Sequence, residues 1–222
     1  MANILNIDSS GSVASICISQ NDVILAYSKN EQRLDHAVWL HQAINDAFKD
    51  INLSIQELDA IAVSNGPGSY TGLRLGMATA KGLCYALKKP LICVPTLKVM
   101  ALAAREDQLA DYYHPMIDAR RMEVFTAVYN NKLEELEKAK AIVLEDNCLK
   151  EWLEKGQTIV SGDGALKASS LHTHDNFILS KVETNASHMR TLSLQLLKDK
   201  NWADLAYCEP FYLKEFYSPK TL

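Results

Sequence analysis

The stretch NGPGSYTGLRLG, residues 65–76, decides how the rest of the chain is interpreted. Its four glycines join the apolar run AIAV (60–63) to a long apolar pattern of helical spacing. A glycine loop between a strand and a helix is typical of phosphate sites, because its backbone N–H groups can surround an anion. The question is whether this loop holds phosphate or uses the same geometry in another way.

The glycine spacing does not match the common phosphate motifs. No Gly-Lys-Ser/Thr follows, as a Walker loop requires, and no acidic residue ends the next apolar run, LICVP (91–95). Pro67 also removes one N–H from any anion nest. The favoured interpretation is a packing loop, in which Pro67 stiffens a sharp turn and Ser69 or Thr71 caps the following helix. The residues of this helix-start loop are Gly66, Pro67, Gly68 and Ser69.

Composition limits the class of protein. The 222 residues are 48% hydrophobic, which is enough for one large core or two modest ones. The net charge is −4, so no excess of basic residues indicates direct nucleic-acid binding. The N-terminus has no signal-like pattern, and no apolar run reaches the roughly 20 residues that cross a bilayer. Five cysteines without a C-x-x-C pair indicate reduced thiols, with a reactive one left open. We therefore expect a cytoplasmic protein without membrane association.

Apolar periodicity predicts alternating strands and helices, beginning with a three-strand meander. The strands are predicted at 3–8, 12–20, 23–28, 60–65, 91–95, 115–118, 123–129, within 133–144 and at 158–161, and the helices at 36–51, 72–88, 96–105, near 147–155 and at 187–199.

An internal repeat divides the pattern. With an offset of 110 residues, Ile117-Asp118 repeats Ile7-Asp8, and TIVSGDG (158–164) then provides a counterpart of IAVSNGPG (61–68). Two landmarks in the same order favour a duplication whose second copy is degraded. We predict an N-terminal half at 1–106 and a C-terminal half at 107–222.

Two α/β halves that each open with a strand ending in Asp resemble the actin-like ATPase (ribonuclease H-like) fold. In that fold, hairpins after these strands clasp phosphates, and IDSSGS (7–12) and IDARRM (117–122) resemble them. Arg120 and Arg121 stand where a clasp needs small residues, which argues against efficient ATP turnover. Two ordinary hairpins with Asp as turn former are an equal alternative. The candidate residues of a relict nucleotide cleft are Asp8, Ser10, Asp118, Gly162 and Gly164.

The predicted helix 72–88 is apolar nearly all round. Small residues repeat on it at i, i+4, and such stripes let another helix approach closely. Helix 36–51 also carries apolar residues off its inward stripe, at Val38, Trp39 and Ala43. The apolar faces of these two helices are either buried between the two halves of the chain or covered by a partner protein, and we favour a partner. The two stripes are Gly72, Gly76 and Ala80, and Ala78, Gly82 and Ala86.

Other groups of residues give only weak indications of a metal-binding or catalytic site. His36 and His41 are five residues apart and diverge around a helix, and His172-x-His174 lacks a third ligand, so we predict no metal site. No nucleophile–base pair can be assigned.

The stretches NILNIDSS, AIAVSNGPGSYTGLRLGMATAKGL, PLICVPTL and IDARRMEVF together closely resemble the TsaB (YeaZ) family. The match is strong over the first 130 residues and weaker through SGDGA (161–165) and PFYLK (210–214). The resemblance implies a non-catalytic, actin-like subunit that pairs with TsaD, which transfers a threonylcarbamoyl group to the adenosine beside the tRNA anticodon. It further implies that the ATPase TsaE docks on the pair, that the chain alone forms a homodimer, and that tRNA is contacted only indirectly.

The pairing helices of the family map onto 36–51 and 71–88. No catalytic residue and no cofactor are implied for this chain, with weak ATP or ADP binding in the complex left open. The H-x-x-x-H metal pair of TsaD is absent from TLKVMALAAREDQL (96–109), and Lys214 stands where the family more often has Arg. The alternatives are an active kinase or ATPase of the same fold and, last, a protease. The candidate partner contacts are His36, Trp39, Leu40, Ala43, Thr71, Arg74, Leu75, Gly76, Ala78 and Thr79.

Overall fold

A computed structural model describes residues 1–30 and 36–214 of the chain. Ten strands form two five-stranded sheets, with the order β3-β2-β1-β4-β5 in the first and β10-β9-β6-β7-β8 in the second. The strands are β1 (Asn3–Asp8), β2 (Ser15–Gln20), β3 (Val23–Lys29), β4 (Ala60–Ser64), β5 (Leu91–Val94), β6 (Tyr112–Asp118), β7 (Glu123–Asn130), β8 (Glu135–Val143), β9 (Thr158–Ser161) and β10 (Phe177–Leu179).

Helices cover both sheets. They are α1 (His36–Asp50), α2 (Tyr70–Leu87), α3 (Thr96–Asp107), α4 (Lys150–Lys155), α5 (Ala165–Ser169) and α6 (Arg190–Lys198), with short 3-10 helices at Ile55–Glu57 and Ala186–Met189. The predicted helix 187–199 is thus divided into a 3-10 turn and α6. The short strand β10 was not predicted.

The first sheet forms around β1 and β4, which run parallel and are buried on both faces. Their side chains alternate. Leu5 and Ile7 pack in the cluster that also contains residues of α1 and α2, whereas Ile4 packs on the opposite face with residues from the 3-10 helix and α6. Antiparallel pairing of β1, β2 and β3 confirms the predicted meander. Strand β2 begins at Ser15 rather than residue 12, because residues 9–14 form the hairpin loop.

The second sheet repeats this plan: β6 pairs antiparallel with β7 and parallel with β9. Helix α3 packs on one face, and α4 and α5 on the other. After the second sheet, the 3-10 helix Ala186–Met189 and α6 return to the first sheet, where Ser193 Oγ donates to Asn6 Oδ1 at 2.6 Å. The division into 1–106 and 107–222 remains a prediction.

His114 of β6 is a buried titratable group in the second sheet, only 2% exposed. Thr126 Oγ1 donates to the Pro115 carbonyl at 2.7 Å, so His114 Nδ1, 3.1 Å from the same hydroxyl, is the donor in that second bond. Burial lowers the pKa of His114 to about 4, because the charged imidazolium is poorly solvated there. The neutral ring is therefore the form that the fold accepts.

We predict that acid weakens the fold through His114. Because its folded pKa lies below the unfolded value of about 6.5, its contribution is present above pH 6.5 and is lost as the pH falls towards 4, on the order of 3 kcal/mol. Urea unfolding across this range should show the decline, and His114→Gln, which does not titrate, should reduce the slope. Burial lowers the pKa of His172 and His188 too, so some slope should persist. An unchanged slope in His114→Gln would contradict the assignment.

Candidate partner interface and relict nucleotide cleft

The glycine loop and the start of α2 lie directly on the hairpin that follows β1. A Cβ atom at Gly68 would stand 2.5 Å from the Ser10 carbonyl oxygen, and one at Gly72 would stand 2.0 Å from the Ser9 carbonyl oxygen. At Gly76 it would stand 2.3 Å from Ser9 Oγ. These contacts are far shorter than van der Waals distance. The glycines are therefore required for close approach of helix and hairpin.

Three N–H groups at this loop and the start of α2 have acceptors within the protein. Ser69 N donates to Ser10 O at 2.7 Å, Gly66 N donates to Thr96 Oγ1 at 3.1 Å, and Gly72 N donates to Ser69 Oγ at 3.3 Å. The last bond makes Ser69 the N-cap of α2, one of the two residues predicted for that role. These donors are not available to an anion, which supports a packing loop.

Gly66 allows a second close approach, between the glycine loop and the chain at Phe211. It has a φ of +112°, which favours glycine, and a Cβ there would lie 2.3 Å from the Phe211 carbonyl oxygen. Phe211 N in turn donates to Asn65 O at 2.6 Å. The loop is thus held between the first hairpin and a C-terminal segment.

Four predicted partner contacts are buried inside the chain, which corrects their assignment. Leu40 and Ala43 face the first sheet, where they belong to its core cluster. Gly76 packs on Ser9, and Thr79 is 7% exposed. The stripe Gly72, Gly76 and Ala80 therefore serves internal packing, and a large side chain at Gly76 would disturb the monomer itself.

The other small-residue stripe of α2 faces outward. Ala78, Gly82 and Ala86 are exposed, and a Cβ at Gly82 would meet no described atom within 4 Å. Tyr85, three residues after Gly82 on the same helix, is 81% exposed, and Val38 of α1 is 62% exposed. These residues form what we call the outer face. Of the remaining predicted contacts, Thr71 and Arg74 are exposed, and His36, Trp39 and Leu75 are half-buried.

Arg74 lies over an aromatic ring of its own helix. Its guanidinium carbon is 4.5 Å from the centroid of Tyr70, a cation–π geometry. The Tyr70 ring in turn lies 5.2 Å from that of Tyr212. Arg74 is therefore exposed but held in place, and neither ring was predicted from sequence.

In the first hairpin, Asp8 organises its own loop. Its Oδ1 accepts hydrogen bonds from Ser10 N at 3.0 Å, Ser10 Oγ at 2.7 Å and Ser64 Oγ at 2.7 Å. Asp8 is buried, so these three donors compensate the desolvation of its carboxylate. Two of the candidate cleft residues, Asp8 and Ser10, are thus brought together as hairpin structure.

In the second hairpin, three consecutive backbone donors are already bonded. Asp118 N donates to Asp163 Oδ1 at 2.8 Å, Ala119 N to Glu123 O at 3.0 Å, and Arg120 N to Asp118 Oδ1 at 2.6 Å. A phosphate clasp depends on such amides being free. The alternative of an ordinary hairpin is favoured here.

Lys167 of α5 bridges the second hairpin. Its Nζ lies 2.5 Å from both Asp118 Oδ1 and the Arg121 carbonyl oxygen. This bond is the main reason why the pKa of Asp118 is lowered. The Asp118 carboxylate is therefore paired with a cation of its own chain.

Gly162 and Gly164 place their loop against β6. A Cβ at Gly162 would lie 2.4 Å from the Met116 carbonyl oxygen, and one at Gly164 would lie 2.8 Å from Val124 Cγ1. Both glycines are explained by packing against the second sheet and, at Gly162, also against Met100 of α3. Across residues 1–30 and 36–214, no group of three or more His, Cys, Asp or Glu side chains is arranged to hold a metal ion. Within the same ranges, no helix is long and apolar enough to span a membrane.

A thiol–imidazole contact lies outside the predicted sites. Cys148 Sγ is 3.4 Å from His172 Nε2, and the two residues are distant in sequence, so no sequence signal could have paired them. Burial raises the pKa of Cys148 and lowers that of His172, so both neutral forms are favoured. A protease needs the opposite polarisation of such a pair.

We predict opposite effects for the same substitution at two glycines of α2. Gly72→Ala should destabilise the chain by about 2–3 kcal/mol or more, because the methyl group collides with the Ser9 carbonyl. Gly82→Ala should stabilise it by about 0.5–1 kcal/mol, because the site is open and alanine favours a helix. Urea unfolding of both variants checks the pair. Equal effects would contradict the inward and outward assignment.

Comparisons with known proteins agree with the resemblance noted from the sequence. The family model described as "TsaD: tRNA N6-adenosine threonylcarbamoyltransferase" matches residues 24–207. A Bacillus subtilis protein named tRNA threonylcarbamoyladenosine biosynthesis protein TsaB is 35% identical over 68% of this chain and 64% of its own length. A protein of the same name from Haemophilus influenzae is 31% identical over 81% of this chain and 80% of its own length.

The solved structure of YeaZ from Pseudomonas aeruginosa superposes with a TM-score of 0.80 at 21% identity, covering 96% of this chain and all of that one. This likeness concerns the fold, and the predicted actin-like ATPase fold is confirmed. On the sequence matches and the two-sheet architecture together, the chain belongs to the TsaB (YeaZ) family.

Proposed function

We propose that this chain is a non-catalytic subunit that pairs with a TsaD protein for threonylcarbamoyl transfer to the tRNA adenosine beside the anticodon. The names of its relatives place them in tRNA threonylcarbamoyladenosine biosynthesis, and the TsaD family model matches most of this chain. On this proposal, the partner is a protein related in sequence to this chain. The setting is the cytoplasm, where tRNA is modified.

The outer face is the observation that carries the proposal. Ala78, Gly82 and Ala86 form an exposed stripe of small residues on α2, and Tyr85 of α2 and Val38 of α1 are exposed as well. Each helical glycine costs about 1 kcal/mol of helix stability relative to alanine. At Gly82 no described atom of the chain lies close enough to require glycine, so internal packing does not explain this residue. Close approach of a partner helix supplies one. The same face would serve a homodimer when TsaD is absent.

The second hairpin supports an accessory role over the kinase or ATPase alternative. Its amides are bonded internally, and Lys167 neutralises Asp118. On this proposal, any ATP or ADP binding belongs to the assembled complex, with TsaE docked on the pair and tRNA contacted indirectly. A protease is disfavoured by the neutral Cys148–His172 pair.

We predict that Gly82→Leu weakens pairing with TsaD and leaves folding intact. Leucine fits the open site and favours a helix, but its side chain would keep a partner helix from approaching the small-residue stripe. Affinity for TsaD, measured by co-purification and titration, should fall at least about tenfold, or about 1.4 kcal/mol. Threonylcarbamoylation that depends on this chain should fall with it.

The control is Gln195→Leu, which adds an exposed leucine on α6, away from α1 and α2. It should pair normally. Wild-type affinity in Gly82→Leu, with the variant folded, would contradict the proposal.

We further predict that the chain alone neither binds ATP tightly nor hydrolyses it. Isothermal titration with ATP and Mg²⁺ should give little heat, and phosphate release should equal the blank. Tight binding together with turnover would instead support the kinase or ATPase alternative.

A further inference from the structure

Arg74 is an exposed cation on the outward side of α2. It lies one helical turn before Ala78, the first residue of the exposed small-residue stripe, because residues four apart share one side of a helix. Within the part of the chain that the structure describes, no Asp or Glu forms an ion pair with its guanidinium. By contrast, Arg190 of α6 is paired with Asp22 and Glu106. The described chain therefore provides no carboxylate for Arg74.

Two aromatic rings hold the Arg74 side chain in place. Its guanidinium carbon lies 4.5 Å from the centroid of Tyr70, and the Tyr70 ring lies 5.2 Å from that of Tyr212. The C-terminal segment that carries Tyr212 is itself fixed, because Phe211 N donates to Asn65 O at 2.6 Å. An aromatic ring attracts the charge but offers no oxygen acceptor, so the guanidinium is positioned while its N–H donors remain available.

We propose that Arg74 binds a carboxylate side chain of the TsaD partner, with Tyr70 and Tyr212 as positioning residues. This inference rests on the proposed pairing through the outer face. A guanidinium and a carboxylate match as two parallel N–H···O bonds, which fix the direction as well as the strength of the contact. A side chain that is already held loses less conformational freedom on binding. Arg and Tyr are also among the residue types that dominate interface energies.

A protein carboxylate is favoured over an RNA phosphate as the anion. The stripe that begins at Ala78 lies next to Arg74, and its small side chains let a partner helix come close. An RNA backbone is instead bound by several cations together. The other cation of α2, Lys81, already donates to the carbonyl oxygens of Ala206 at 3.4 Å and Cys208 at 3.1 Å. A single available guanidinium suits a single carboxylate.

The first test measures the affinity of the full chain for TsaD, without tRNA, over a range of salt concentrations. Arg74→Gln should lower the affinity at least about tenfold at about 0.1 M salt and flatten the salt dependence, because the charged contact is lost. Arg74→Lys should recover only part of the affinity, since an ammonium lacks the planar fork. The control is Lys198→Gln, which removes an exposed charge from α6 and should pair like the wild type.

The second test isolates the role of Tyr212. Tyr212→Leu should weaken pairing about threefold, because Tyr70 and the guanidinium lose their support. The same substitution should have no further effect when Arg74→Gln is already present. An equal loss in both backgrounds would contradict the positioning role. Urea unfolding of each variant verifies that it is folded.

The acceptor is identified on the partner. Each Asp and Glu of TsaD that becomes protected on binding is replaced by Asn or Gln. One replacement should weaken binding of the wild-type chain by the same factor as Arg74→Gln, and the two changes together should cost no more than either alone.

Three results would overturn the inference while the proposed function stands: wild-type affinity and salt dependence in Arg74→Gln, no acidic residue of TsaD coupled to Arg74, or normal pairing with a loss of tRNA binding by the complex. The last result would assign Arg74 to a phosphate. If the wild-type chain does not pair with TsaD at all, the proposed function fails and the inference fails with it.

Discussion

Close approach between the start of α2 and the hairpin at Ser9–Ser10 is the contact on which the rest of the structure depends. Glycines at 68, 72 and 76 leave no room for a side chain there, so helix and hairpin fit in one orientation. This contact with the hairpin determines the rotation of α2 about its axis. With 3.6 residues per turn, Gly82 lies about 240° around the helix from Gly76 and faces outward. One internal contact therefore creates the outer face.

The two sheets share a strand plan but differ at the hairpins that follow β1 and β6. In the first, the carboxylate at the end of β1 is buried and accepts serine donors, and the glycine loop covers the hairpin. In the second, Asp118 is more exposed and binds Lys167, while Arg120 and Arg121 adopt positive φ in the turn. At both hairpins, the carboxylate that ends the first strand and the donors around it bond to each other.

Much of the architecture was predictable, because burial periodicity and the repeat of strand-Asp are local signals. The meander, α1, α2 and the N-cap Ser69 all follow from short stretches. The orientation of α2 does not, because both of its stripes are small and apolar. Only the contact with Ser9 shows that Gly76 is internal and Gly82 external. Lys167, Cys208 and Phe211 act on residues distant in sequence, so no local pattern could place them.

The C-terminal segment at residues 203–214 contacts several of these features near the start of α2. Its Phe211 lies against Gly66, its Tyr212 packs on Tyr70, and its Ala203 N donates to Leu91 O of β5. The orientation of the outer face therefore also depends on how firmly this segment holds α2.

Hydrogen–deuterium exchange of the chain alone and with TsaD shows directly whether the outer face is the partner interface. We expect exchange to slow in α1 and in residues 78–87 of α2, and to stay unchanged in the hairpin at 118–123. Protection confined to the second sheet or to that hairpin, with α1 and α2 unaffected, would contradict it.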